Sequence, residues 1–184
     1  MISFALDRHW SAFTYLDQPS KEQWSAGIHL LITKSLSGAS TGHAVHAFSW
    51  VVERALRESI FIPFKEECRG SPGLIGDINQ PAEDAKVFCQ FLSGKVDLAF
   101  GQMLKIAKIS VDSCQTPFGP FAGWLKTRRP AYFKRIGQLG EPMMVELRNR
   151  EDHAKMRLIT EADADKMFEA SKEAISLILE DRAQ

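Results

Sequence analysis

Apolar residues along the chain recur at spacings of three and four, and no stretch sustains alternation, so the pattern predicts helices and no sheet. The segment SKEQWSAGIHLLITKSL, from Ser20, places Trp24, Ile28, Leu31 and Ile32 on its apolar side, with Ser20 and Gln23 suited to a capping box. From about Thr41 to Ser59, Val45, Phe48, Val52, Ala55 and Leu56 form a second stripe. The stretch from Pro81 to Ile109 predicts one long helix or two abutting ones, since proline suits a first helical turn and Gly94 and Gly101 are the expected bends or breaks. Its apolar sets are Val87, Phe88, Phe91 and Leu92, then Val96, Ala99, Phe100, Met103 and Ala107. A further helix is expected from about Glu141 and Pro142, with Met143, Met144 and Leu147 inward. The last should be capped by Thr160, with Asp163 three residues on, and carries Ala164, Met167, Phe168, Ser171, Ile175 and Ile178 as one stripe.

Breakers punctuate the rest. Pro63, Gly70, Ser71, Pro72, Gly73, Gly76 and Asn79 make residues 60–80 a surface loop or insertion, taken as lying within a single domain over 1–184, with an interdomain linker as the alternative. Residues 113–123 form a second loop. The fold class is therefore all-α, a helical bundle of four to five helices with loop additions.

Composition adds mainly exclusions. With 184 residues, 45% apolar and 25% charged, the chain matches an ordinary globular protein rather than a disordered or collagenous one. Lys plus Arg and Asp plus Glu number 23 each, so it is no basic nucleic-acid coat, although local patches are possible. Cys68, Cys89 and Cys114 form no CxxC pair and suggest neither disulfides nor a zinc knuckle. With no leader-like or membrane-spanning run, a cytoplasmic location without membrane association is expected.

The stretch Leu147-Arg148-Asn149-Arg150-Glu151-Asp152-His153 holds the candidate chemistry. On a continuous helix Asn149 and His153 share a face at i and i+4, with Arg148 about 100° round from Asn149. An imidazole titrating near neutrality can take a proton from a ribose 2′-hydroxyl or give one to a departing 5′-oxygen. Arg148 carries a planar donor fork suited to phosphate oxygens, and Asn149 can bond an oxyanion and orient the imidazole. Alternatively, Arg148 pairs with Asp152 and Arg150 with Glu146 along a solvated helix, and His153 is an exposed end residue.

Arg148-Asn149-x-x-x-His153 resembles the R-polar-x3-H signature of HEPN domains (higher eukaryotes and prokaryotes nucleotide-binding), and the likeness runs from about Glu141 to Asp181, through the threonine-capped final helix. The resemblance implies a HEPN-like helical bundle, a homodimer whose signatures face each other, and metal-independent RNA cleavage with no cofactor. In such a protein Arg148, Asn149 and His153 of both copies would build one cleft, and 2′-hydroxyl attack would leave a 2′,3′-cyclic phosphate and a 5′-hydroxyl. Toxins and phage-defence effectors restrained by an antitoxin or regulatory partner are common in that family. A catalytically silent module binding nucleotide, RNA or protein is the alternative.

A second stretch, Trp124 to Arg135, contains Lys126, Arg128, Arg129, Lys134 and Arg135 with Tyr132 and Phe133 and no acid. Cations contact phosphates and aromatic rings stack on unpaired bases, so Lys126, Arg128, Arg129, Tyr132, Lys134 and Arg135, with Arg150, are candidate RNA-binding residues. The competing reading makes Tyr132 and Phe133 core anchors beneath a solvated surface. His43 and His46 have a helical metal-ligand spacing but no evident third ligand; two ordinary histidines on a packed helix are the simpler reading. His29 reads as a core or interface residue and Cys89 as a small buried one. Residues 70–76 lack the Lys-Ser/Thr ending of a phosphate loop.

Overall fold

The computed structural model describes residues 10–37, 41–75, 82–136, 141–152 and 159–180. All regular structure among them is helical: α1 (Gln18–Ser37), α2 (Gly42–Leu56), α3 (Ile62–Arg69), α4 (Glu83–Leu92), α5 (Phe100–Asp112), α6 (Phe118–Arg128), α7 (Pro130–Arg135), α8 (Glu141–Asp152) and α9 (Glu161–Glu180), with short 3-10 and π turns. No helix among the described residues is long and apolar enough to cross a membrane. The chain forms two compact units, one of Met1–Ala55 with Leu139–Gln184, the other of Leu56–Gln138.

In the first unit, Asp17 caps α1: its Oδ1 accepts the Ser20 N–H at 3.0 Å, while Ser20 itself is buried inside the first turn. The helix thus starts ahead of the expected Ser20 cap, because a carboxylate at residue 17 meets the exposed N–H groups first. Rings of Trp10, Trp24, Phe48 and Phe168 interlock, with centroids 4.9 Å apart for Trp24 and Phe48 and 5.4 Å for Trp24 and Phe168. Trp10 adds a polar tie, its Nε1–H donating to Ser176 Oγ at 2.7 Å. α1 lies close to α2 at Gly27, where a β-carbon would fall 2.7 Å from Phe48 Cε1. The expected stripe of α9 is buried throughout. Its cap is reciprocal: the Asp163 N–H donates to Thr160 Oγ1 at 3.2 Å and the Thr160 N–H to Asp163 Oδ2 at 3.1 Å.

In the second unit, Phe61, Phe64, Phe88, Phe91, Phe118, Phe121 and Trp124 form another ring cluster, with Phe64 and Phe121 centroids 4.9 Å apart. This unit departs from expectation in several places. Residues 62–69 are helical instead of looped, and Ile60, Phe61 and Phe64 are buried. Pro63 is the second residue of α3 and follows directly on helical chain, so its missing N–H leaves a carbonyl of the preceding turn without that main-chain donor. A π turn, Arg57–Phe61, precedes it. Pro63 cannot donate to the Ser59 carbonyl four residues earlier, and the Arg129 guanidinium does so instead, from Nε at 3.2 Å and Nη2 at 3.1 Å.

Gly94 does break the 81–109 stretch, and Gly101 does not. Gly94 has φ +79°, its N–H donates to Phe91 O at 2.9 Å, and the Lys95 N–H reaches Gln90 O at 2.8 Å, which together make a Schellman end to α4. Gly101 lies in the first turn of α5, where Gln102 Oε1 accepts the Ala99 N–H at 2.9 Å. Residues 118–123, expected as loop, open α6. These interruptions and added helices replace the expected four to five helices with nine α-helices among the described residues.

Candidate functional site

α8 turns its residues past the core in order. Met144 and Leu147 are buried, Arg148 one step round is half-buried, and Asn149 one step further is exposed, as 100° per residue requires. From that edge the Arg148 guanidinium reaches α2, and Nη1 lies 2.7 Å from Glu53 Oε2, with the side chains 22% and 21% exposed. A guanidinium this sheltered is less screened than a surface ion, and removing one partner would leave the other partly buried.

Past α8 the chain is next described at Ile159, whose carbonyl accepts the hydroxyl hydrogen of the buried Thr41, just ahead of α2. α2 and its preceding residue thus hold both Arg148 and the residue before the Thr160 cap. The Arg150 side chain and the whole of His153 lie outside the described residues. Of the proposed catalytic set, Arg148 and Asn149 are adjacent on one helix edge, the first bound and the second open to solvent.

The basic stretch divides. Lys126, Arg128, Lys134 and Arg135 are exposed in the last turns of α6 and α7, where cations also favour helix C-terminal dipoles. Lys126 Nζ stands 5.1 Å from the centre of the half-buried Phe133 ring. Two of the expected RNA contacts need correction. Tyr132 is 0% exposed, a core anchor with no face for a base, and Arg129 spends its fork on the Ser59 and Arg128 carbonyls. Trp124 is also buried, its Nε1–H donating to Glu67 Oε2 at 2.8 Å.

His29 is exposed and within 3.3 Å of Thr33, so of the core and interface placements expected for it the core one does not hold. His43 is exposed and His46 half-buried, and no group of three His, Cys, Asp or Glu among the described residues is placed to hold a metal. Cys89 is buried and donates its S–H to Ile75 O at 3.0 Å. Burial, helped by the neighbouring Glu67 charge, pushes the Cys68 thiol up to about 11, so it is no nucleophile near neutral pH.

Sequence reasoning missed Glu53. Its only signal was an acid directly beside the apolar stripe of α2, a position that shelters a carboxylate and so favours a cationic partner. No protein-family model matches the chain, and neither does any curated protein or solved structure.

Proposed function

We propose that this protein is a HEPN-like, metal-independent endoribonuclease in which Arg148, Asn149 and His153 act together with the same residues of a second copy. His153 takes the proton of a ribose 2′-hydroxyl, and the freed oxygen attacks phosphorus. The bond from phosphorus to the 5′-oxygen breaks, an imidazolium supplies that oxygen with its proton, and the products are a 2′,3′-cyclic phosphate and a 5′-hydroxyl. Arg148 and Asn149 hold the charge that builds on the phosphoryl oxygens.

The observation that carries this reading is the sheltered Arg148 guanidinium, fixed at the edge of α8 beside an exposed carboxamide and ahead of a threonine-capped final helix. In its own unit, the exposed Lys126, Arg128, Lys134 and Arg135 provide contacts for RNA phosphates. A toxin or phage-defence effector restrained by an antitoxin or regulatory partner is the biological role that suits such an activity.

The test is cleavage of end-labelled RNA in EDTA. Wild type should yield cyclic-phosphate ends, and His153→Ala should lose about 10²–10⁴-fold in rate while still folded. Chelator-sensitive cleavage, or full activity in that variant, removes the mechanism.

The Arg148–Glu53 ion pair also favours a second reading, because it gives the guanidinium a structural use. In that case the protein is a catalytically silent module that binds nucleotide, RNA or a protein partner. It would bind labelled RNA and leave it whole, and Arg148→Ala would weaken binding.

A further inference from the structure

We propose that Glu53 is a positioning residue for the Arg148 guanidinium, an inference that rests on the ribonuclease reading above. An arginine side chain is long and rotamer-rich, and an unheld one would sample many placements relative to a phosphate. Glu53 Oε2 holds Nη1 at 2.7 Å. Both side chains are mostly sheltered, so the contact is less screened than an exposed pair.

The helix that carries Glu53 is itself anchored. Glu53 follows Val52 on α2, a residue that is wholly buried, so the backbone at Glu53 cannot shift without moving the core of this unit. Thr41, just ahead of the same helix, grips the Ile159 carbonyl. The adjacent Arg54 bonds Asp17 through Nε at 2.7 Å and lies 5.4 Å from the Trp50 ring centre. α2 therefore carries two acid–guanidinium pairs on neighbouring residues, one closing onto the start of α1 and the other onto α8. The first serves a helix cap. The second holds the cation of the R-N-x3-H segment, and a guanidinium displaced by about 1 Å can lose on the order of 10²-fold in rate.

The experiment compares wild type, Glu53→Gln, Arg148→Ala and the double variant in RNA cleavage, with melting curves for each. Glu53→Gln should lower kcat by about 10–100-fold with KM changed far less. In the Arg148→Ala background the same change should cost nothing further, since a positioning residue acts only through the group it holds. An equal loss in both backgrounds would give Glu53 an independent role and overturn the proposal. An unchanged kcat would overturn it too, and so would an unchanged kcat with a lower KM, which would make the carboxylate a competitor of phosphate. If Glu53→Gln melts below the assay temperature, Glu53→Asp is read by the same criteria, with an intermediate kcat expected. Wild type that binds but never cleaves RNA overturns the ribonuclease reading and this inference together. Cleavage that needs His153 and Arg148 but ignores Glu53 overturns only the inference.

Discussion

Asp17 serves two elements with one carboxylate. One oxygen caps α1 and the other meets Arg54, with Nη2 at 2.6 Å. Burial raises its pKa, but hydrogen bonds from Arg54 and Ser20 and the Arg54 charge outweigh that and bring it from 3.8 to about 2. Because the folded value lies below the unfolded one, Asp17 contributes stability above about pH 4 and loses it as pH falls towards about 2. Asp17→Ala should cost about 1 kcal/mol near neutrality from the lost cap, plus a few tenths for a pair this exposed. Urea titrations at several pH values check both parts: the variant's stability should fall less steeply than wild type between about pH 4 and 2. Gly27 gives a second prediction at this scale. Alanine would gain about 1 kcal/mol of helix propensity, yet its methyl would fall 2.7 Å from a Phe48 ring wedged between Trp24 and Phe168. Overpacking of about 1–3 kcal/mol wins, so Gly27→Ala should lower the melting temperature.

The π turn before α3 shows how elements depend on remote groups. Pro63 withholds an N–H from the buried Ser59 carbonyl, and Arg129 supplies donors from the other end of that unit's sequence. Arg129→Met should cost about 1–3 kcal/mol, the usual penalty for a buried acceptor left without its partner. Pro63→Ala restores a main-chain donor, so the Arg129 change should cost less in that background. A double-mutant cycle by chemical denaturation measures the difference, and strictly additive losses would show that Arg129 does not stand in for the missing N–H. The same element explains why residues 60–80 read as a loop: a proline signals a break only where nothing takes up its missing N–H, and at Pro63 a π turn and a remote guanidinium do so. Gly94 was legible because a glycine ending an apolar helical set suits a left-handed cap, whereas Gly101 sits in a first turn where nothing demands positive φ.

For the whole molecule, periodicity exposed the buried faces of α2 and α9 because each is amphipathic over several turns, while in α8 it found the buried Met144 and Leu147 but also placed the half-buried Met143 inward. It did not expose the contacts that cross elements. Arg148 meets Glu53 on another helix, and Trp124 meets Glu67, whereas helical spacing governs only partners three or four residues away. The proposed cleft draws on two copies of the chain. In it the His153 of one chain takes the proton from the 2′-oxygen, and the His153 of a two-fold-related copy, as an imidazolium, delivers one to the 5′-oxygen. Sedimentation should accordingly give twice the 20.7 kDa chain mass at assay concentrations. Titrating inactive His153→Ala into a fixed amount of wild type, with time for exchange, should depress activity as mixed dimers form, because each mixed dimer lacks one imidazole. An active unit contained in one chain would instead keep its full activity at every ratio, and that result would rule out the shared cleft while leaving RNA cleavage itself intact.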